Sequence, residues 1–329
     1  MSPEMPRSPD YSSKYLSVNG LMHPRVDQAP RGALAEVADL IALRFAARFI
    51  NVTAGGRTLA HLAGSKRSNQ RGRGVEFDEV RQYAAGDDVR SIDWRVTARS
   101  GTAHTKLFHE ERERPVLVAV DQRQTMKFGS RTCFKSVQAA HAASLLLWSG
   151  LDRGERVGGM VFDDHHFDDV RPRRSRNSVL AMIGHLHAYG QPSSVGTGGQ
   201  DLADHIRQLS RIARPGSHTF IISDFDATEG DSLLEGLRHL VRRTQVTAIR
   251  IGDPLEQELP VAGRYVVTDG NTKTALNTAD AQLRRRFSED ARDRHQQLVS
   301  SLQGLRIPLL ELSTIDPTLP ALQRVFPDR

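Results

Sequence analysis

From residue 115 to its end, the chain alternates short apolar runs with amphipathic stretches, and this alternation constrains the fold more than any other feature. Strands are predicted at 116–121, 157–162, 167–170, 218–223, 246–251 and 307–312, and helices at about 131–151, 175–189, 201–213, 229–243 and 279–303. Strands that alternate with helices form a mostly parallel sheet with helices on both faces. The sequence therefore predicts an α/β domain over residues 115–329.

The first 114 residues have a different character. The lead-in contains five prolines and few large apolar groups, which is typical of an extended or partly disordered segment. Residues 32–49 carry apolar side chains at helical spacing and predict an amphipathic helix. Residues 75–114 alternate polar and apolar side chains, Trp94 and Val96 among them, and indicate short strands. The predicted organisation is a lead-in over 1–30, a helix plus a small β-rich subdomain over 31–114, and the α/β domain over 115–329.

Composition narrows the class of protein. The 329 residues are 38% hydrophobic and 26% charged, as in ordinary soluble domains. A net charge of +6 permits contact with acidic partners without requiring it. Cys133 is the single cysteine of the sequence. A single cysteine excludes an internal disulfide and suits a reducing compartment, and we expect Cys133 to be a small core residue. Residues 1–30 lack the apolar core of a signal peptide, and no apolar run reaches the ~20 residues of a membrane span. We expect a cytoplasmic protein without a membrane span.

An acidic residue stands at the carboxyl end of the first strand of the α/β domain. Asp121 directly follows the apolar run 116–120. In open α/β sheets this edge is where ligands bind. The stretch 121–125 is similar to the Asp-x-Ser-x-Ser start of the metal-ion-dependent adhesion site in von Willebrand factor A domains, with Arg123 and Thr125 in the places of the two serines.

Two blocks resemble one bacterial family. Residues 71–99 read RGRGVEFDEVRQYAAGDDVRSIDWRVTAR, and residues 221–226 read IISDFD. Both blocks are similar to the family called domain of unknown function 58, which has a von Willebrand factor A-like fold, and the resemblance covers about residues 55–255. It implies a protein–protein interaction or adaptor role rather than a reaction. It also implies a MoxR-type AAA+ ATPase as partner, in the assembly or maturation of a client complex.

The resemblance also implies an ion site, which we compare residue by residue. The family pattern uses hydroxyl and carboxylate oxygens around Mg²⁺. Asp121 and Asp224 match the two carboxylates, and Thr125 keeps a hydroxyl. Gln200 replaces a threonine, and Arg123 replaces a serine with a group that only donates hydrogen bonds. Since two unpaired carboxylates repel each other, we predict a degenerate, metal-free site in which Arg123 bridges both with fork-shaped hydrogen bonds. The alternative is a retained Mg²⁺ bound by Asp121, Thr125 and Asp224.

The first family block is rich in opposite charges. The charged residues of this block predict either a network that docks the β-rich unit or a recognition surface for the ATPase or a client. Trp94 is the candidate anchor between this unit and the main sheet. The set is Glu76, Arg81, Asp87, Asp88, Arg90, Asp93, Trp94, Arg95 and Arg99.

Three other segments have competing interpretations. The basic loop 65–74 is either solvated or a nucleic-acid contact, but it lacks interleaved aromatic residues. The acidic and histidine-rich stretch 163–169 is either a polar hairpin or a transition-metal site, and we expect the hairpin. The basic stretch 171–176 is either a solvated turn or a site for an anion or an acidic partner segment.

No catalytic arrangement is apparent in the sequence. There is no Gly-x-Ser-x-Gly elbow, and Ser223 at a strand end has no base placed beside it by the sequence. We therefore expect a non-enzymatic protein without a cofactor, with Mg²⁺ as the alternative and nucleic acid an unlikely partner class.

Overall fold

The computed structural model describes residues 15–18, 21–24, 27–53, 58–59, 62–63, 76–84, 92–109, 114–192, 199–226, 230–261, 263–268 and 273–328. The chain divides into two compact units. The larger consists of Met1–Lys66 with Pro115–Arg329, and the smaller of Arg67–Arg114. The sequence predicts one subdomain over residues 31–114. In the structure, residues 31–66 belong to the larger unit, and the smaller unit begins at residue 67.

The described elements are numbered in chain order. The strands are β1 Tyr15–Val18, β2 Leu21–Pro24, β3 Glu76–Gln82, β4 His104–His109, β5 Val116–Asp121, β6 Val157–Phe162, β7 Phe167–Arg173, β8 His218–Ser223, β9 Gln245–Gly252, β10 Arg264–Thr268, β11 Lys273–Asn277 and β12 Leu309–Ser313. The helices are α1 Val37–Ala42, α2 Arg44–Ala47, α3 Trp94–Ser100, α4 Lys135–Asp152, α5 Arg176–Gly190, α6 Leu202–Ile212, α7 Gly230–Val241, α8 Pro254–Gln257, α9 Ala281–Gly304 and α10 Thr318–Val325. A 3₁₀ turn covers Gln124–Met126.

A six-stranded sheet forms the centre of the larger unit. Its order is β12-β9-β8-β5-β6-β7, and every neighbouring pair is parallel except β6 with β7. The predicted mostly parallel α/β fold is confirmed. The chain leaves β5 toward β6 on one side and returns to β8 on the other. This reversal of strand order is the position at which open α/β sheets bind ligands.

Burial on both faces explains why the central strands are apolar throughout. Every residue of β5 and of β8 is buried. One core layer lies between the sheet and α4, and a second lies between the sheet and helices α6 and α7. Each fully buried Leu, Ile or Val side chain contributes about 1.5–3 kcal/mol of transfer free energy. The ends of β5 and β8 are thereby fixed beside each other.

The segments flanking the sheet differ in part from the sequence prediction. The helix expected over 32–49 is two short helices, α1 and α2. Of its predicted apolar positions, Leu40 and Leu43 are buried, whereas Phe45 and Phe49 are 37% and 45% exposed. In the lead-in, β1 and β2 form an antiparallel hairpin, and residues 1–14 lie outside the described part. The hairpin β10–β11 and helix α10 were not predicted.

The smaller unit contains an antiparallel pair, β3 with β4, and helix α3. The prediction of a strand through Trp94 and Val96 is wrong. Asp93 caps a helix instead, since its Oδ1 accepts hydrogen bonds from the backbone N–H groups of Arg95 at 3.0 Å and Val96 at 3.2 Å. Gly101, with φ +74°, ends the helix in the left-handed conformation.

The charged set of the smaller unit is only partly described. Glu76 and Arg81 lie in β3, while Asp87, Asp88 and Arg90 lie outside the described residues. Arg95 and Arg99 are exposed on α3. Trp94 is 69% exposed, and its role as an anchor between this unit and the main sheet stays a prediction. The docking network as a whole stays a prediction.

Candidate functional site

The first half of the site lies where β5 ends. Asp121 is fully buried, and its Oδ1 accepts from the backbone N–H of Arg123 at 2.9 Å. The Arg123 guanidinium donates from Nε to both carboxylate oxygens at 3.1 Å and from Nη2 to Oδ2 at 2.9 Å. Ser223, at the end of β8, donates from Oγ to the same Oδ2 at 2.7 Å. The predicted pairing of Arg123 with Asp121 is therefore present, with the arginine 6% exposed.

The second half of the site centres on a lysine that the sequence analysis missed. Lys135 is the first residue of α4 and is 2% exposed. Its Nζ donates to Asp224 Oδ2 at 2.8 Å and to Glu256 Oε1 at 2.5 Å. Asp224 follows β8 directly, and Glu256 lies in α8. The second carboxylate of the predicted pair thus has its own side-chain cation.

A third carboxylate fixes the surroundings of Lys135. Asp253 caps α8 and accepts from Ser130 Oγ at 2.5 Å and from Thr314 Oγ1 at 2.6 Å. The backbone N–H of Asp253 donates to Glu256 Oε2 at 3.0 Å. This network joins the carboxyl ends of β9 and β12 to the loop before α4, so Glu256 is held in place to receive Lys135.

Burial and neighbouring charges shift the pKa values of these groups in different directions. Burial raises the pKa of Asp121 above its ordinary value, and Arg123 opposes that effect. Burial alone would also raise the pKa of Asp224, but Lys135, with smaller contributions from Arg123 and Thr125, outweighs it and holds that pKa below the ordinary value. Burial alone would lower the pKa of Lys135, but the carboxylates of Asp224 and Glu256 outweigh it and raise it. Asp224 and Lys135 are therefore a charged pair at neutral pH.

The remaining predicted site residues lie at the surface of the same edge. Thr125 is exposed in the 3₁₀ turn, where its hydroxyl helps to lower the pKa of Asp224. Gln200 is exposed, and its backbone N–H donates to the carbonyl of Asp164 at 2.7 Å. Asp164 also accepts from the backbone N–H of Gln124 at 2.8 Å. The loops that follow β5 and β6 are thereby joined to the residue that precedes α6.

A family assignment follows from comparison with known proteins. The model of the family "Protein of unknown function DUF58" matches residues 79–297. The chain belongs to this family. The predictions of a DUF58 protein and of a mostly parallel α/β fold are confirmed.

Relatives of this DUF58 protein include mycobacterial chains without an assigned function. Uncharacterized protein Mb1516 of Mycobacterium bovis and Uncharacterized protein Rv1480 of Mycobacterium tuberculosis are each 31% identical over 244 residues, which is 74% of this chain and 76% of theirs.

Solved structures show more distant likeness. BatB from Bacteroides thetaiotaomicron is 14% identical with a TM-score of 0.34, over 58% of this chain and 97% of that one. An aerotolerance-related membrane protein from Bacteroides fragilis is 13% identical with a TM-score of 0.39, over 64% of this chain and 95% of that one. A von Willebrand factor type A protein from Catenulispora acidiphila is 16% identical with a TM-score of 0.32, over 57% and 42%.

The donor set of the DUF58 sheet edge does not fit Mg²⁺ as it is arranged. A small divalent ion needs about six oxygen ligands around it. Both oxygens of Asp121 and Oδ2 of Asp224 already accept from cationic donors. The guanidinium of Arg123, which has no acceptor atom, lies where a hydroxyl ligand is expected.

Other predicted features of the DUF58 chain are also placed by the structure. The stretch 163–169 is the tip of the β6–β7 hairpin, and Asp163 Oδ1 accepts from two backbone N–H groups of that tip at 2.8 Å. Cys133 is buried in the core, and burial raises the pKa of its thiol to about 12. The basic loop 65–74 lies outside the described residues. Among the described helices, none has both the length and the apolarity to cross a bilayer.

Proposed function

We propose that this DUF58 protein is a non-catalytic protein-binding module whose sheet-edge site works without a metal ion. The observation that carries the proposal is the pairing of each acid with its own cation, Asp121 with Arg123 and Asp224 with Lys135. Two fixed positive charges provide what one divalent ion would provide. The site then keeps its shape whether or not Mg²⁺ is available.

The absence of catalysis is part of the proposal. The serine nearest the site, Ser223, donates its hydroxyl proton to the Asp121 carboxylate at 2.7 Å. A nucleophilic serine needs a base that accepts this proton at neutral pH. Both oxygens of Asp121 already accept hydrogen bonds from Arg123, so this arrangement favours a structural role for Ser223.

The partner proposed is a MoxR-type AAA+ ATPase, which the family resemblance implies, in the cytoplasm and together with a client complex. Trp94, Arg95 and Arg99 support protein binding, because all three are exposed on one short helix. Tryptophan and arginine are the residue types most enriched at the energetic centres of protein interfaces.

The proposal is tested by capture of a MoxR-type AAA+ ATPase on the immobilised full-length protein. Capture is compared in EDTA and in Mg²⁺, with the oligomeric state of the ATPase checked in both. We expect equal capture in both buffers and at least a tenfold loss with Trp94→Ala/Arg95→Ala. The matched control, Arg207→Ala/Arg211→Ala on exposed positions of α6, should capture normally. No capture above the empty matrix, or capture that requires Mg²⁺ while the ATPase stays intact, would contradict the proposal.

A further inference from the structure

A second feature of the larger unit lies away from the site at Asp121. Strand β7, at one edge of the sheet, and the start of helix α5 enclose a cleft of about 420 Å³. Arg171 and Arg173 line it from the strand, and Ser175, Ser178 and His185 line it from the helix side.

The cleft has an excess of positive charge. Arg171 and Arg173 are exposed and alternate along β7 with the less exposed Pro172 between them. Neither arginine forms an ion pair with any residue that the structure describes. Asp169 is the one carboxylate along the wall of the cleft, and Arg174 and Arg176 follow directly in the sequence. Two guanidinium groups therefore face Asp169, while the adjacent carboxylate of Asp168 lies 3.3 Å from Nδ1 of His185.

The start of α5 adds to this imbalance. Its first turn contains no acidic residue, and the Oγ of Ser175 accepts from the backbone N–H of Asn177 at 3.2 Å. The amino end of a helix carries partial positive charge that anions normally balance. Here an arginine occupies the first position of the helix, and its acidic neighbour, Asp152, belongs to α4.

Ser178 is an independent sign of a ligand. It is 5% exposed and lines the cleft. Within the described part of the chain its hydroxyl has no hydrogen-bond partner. Its oxygen is accessible from the cleft and is not sealed in the core. A ligand with acceptor oxygens would satisfy this hydroxyl and the two guanidinium groups together.

We infer that this cleft binds an acidic segment of a protein partner. The inference rests on the proposed protein-binding function and names a surface for it. Guanidinium forks match carboxylates in pairs of parallel hydrogen bonds. The volume is in the range of pockets that enclose several side chains, roughly 300–1,000 Å³, and exceeds what a bare anion fills. The bulge and Pro172 at the edge strand disfavour pairing with an added strand, so the partner contacts the cleft through side chains.

The test measures binding of a fluorescein-labelled, glutamate-rich decapeptide to the full-length chain by fluorescence anisotropy, with the matching glutamine peptide beside it. We expect saturable binding of the glutamate peptide and at least tenfold weaker binding of the glutamine peptide. Arg171→Ala/Arg173→Ala should weaken glutamate-peptide binding at least tenfold, and Ser178→Ala about threefold. The control Arg207→Ala/Arg211→Ala removes the same charge from α6 and should stay within about twofold.

Three outcomes would overturn the inference. They are no saturable binding of the glutamate peptide below about 1 mM, equal loss in the cleft and control variants, or complete displacement by inorganic phosphate at concentrations below those of the peptide. The last would indicate a site for a phosphate group instead. Capture of the ATPase does not enter this experiment. If peptide binding fails while capture succeeds, only the cleft assignment is wrong; the reverse result leaves the cleft and removes the proposed partner.

Discussion

At the scale of single residues, the sheet edge depends on Lys135 as much as on Arg123. Lys135 stands in the first turn of α4, where the helix dipole disfavours a cation. It is also the sole charged residue from 132 to 151. That isolation in an apolar helix was a usable signal, but the Asp-x-Ser-x-Ser pattern has no position for it. Arg123 donates to Asp121 and Lys135 donates to Asp224, so a second cation lies beside the pair of acids in addition to the predicted one.

Removing the lysine should be costly. Lys135→Met leaves Asp224 buried without its closest counter-charge and should lower the free energy of unfolding by about 3–5 kcal/mol. Adding Asp224→Leu should recover most of that loss, because an apolar pair avoids the desolvation of both charges. Urea unfolding measures both effects. The exposed pair on α6 provides the control, where Arg207→Met should change stability by about 0–1 kcal/mol. Equal effects at both positions would refute the buried pair.

The stabilisation by this pair should depend on pH at both extremes. The pKa of Lys135 is raised above 10.5, so its contribution is fully present below pH 10.5 and is lost as pH rises through the folded-state value. The pKa of Asp224 is lowered below 3.8, so its contribution is present above pH 3.8 and is lost as pH falls further. The difference in unfolding free energy between the wild type and Lys135→Met/Asp224→Leu should change in those two windows. A change confined to neutral pH would argue against the assignment.

At the scale of elements, the close approach of β5 and β6 sets a sharp steric limit. A Cβ on Gly159 would lie 2.0 Å from the carbonyl oxygen of Val118 in β5, whereas a Cβ on Gly184 in α5 would meet nothing within 4 Å. The two glycines therefore predict opposite effects for the same substitution.

Gly159→Ala should destabilise the larger unit by about 1–3 kcal/mol or more, because backbone must move to admit the methyl group. Gly184→Ala should stabilise it by about 0.5–1 kcal/mol, since alanine is the better helix former. Thermal unfolding of the two variants is a direct comparison. Destabilisation by Gly184→Ala, or no effect of Gly159→Ala, would mean that these elements pack differently.

Elements with a clear pattern of apolar side chains could be predicted from the sequence. Elements whose type is decided by capping residues at their ends could not. The buried strands β5 and β8 are continuous apolar runs, and their limits agree with the prediction. Helix α3 was missed because the alternation through Trp94 resembles a strand, whereas the side chain of Asp93 and the backbone of Gly101 define a helix. At the site, Asp121 and Asp224 followed from strand ends. Asp253 and Glu256 have the spacing of a helix capping box, but that pattern does not show that Glu256 meets Lys135, which is distant in the sequence.

At the scale of the whole molecule, each of the two units carries one tryptophan. Trp148 is 4% exposed in the larger unit and donates from Nε1 to the carbonyl of Leu40 at 3.2 Å. Trp94 is 69% exposed in the smaller unit. A variant that keeps only one of the two tryptophans therefore reports, through its fluorescence, on one unit alone.

Acrylamide should strongly quench the fluorescence of the Trp148→Phe variant, because only the exposed Trp94 emits there. It should quench the fluorescence of the Trp94→Phe variant only weakly. The emission of Trp148→Phe should also be red-shifted relative to that of Trp94→Phe. These spectra are taken on the full chain without a partner. A protected, blue-shifted Trp94 would favour the interpretation of that residue as an anchor between the units and would remove it from the proposed protein-binding surface.

The central claim is that Arg123 and Lys135 take the place of a divalent ion between Asp121 and Asp224. Isothermal titration of the wild-type chain with Mg²⁺ and with Mn²⁺ tests it most directly, with Asp121→Ala as the control. The account predicts no saturable heat for either ion in the wild type, and new metal affinity in Arg123→Ser/Gln200→Thr, where the guanidinium is removed and hydroxyl ligands are added. Micromolar binding to the wild type that disappears in Asp121→Ala would contradict it.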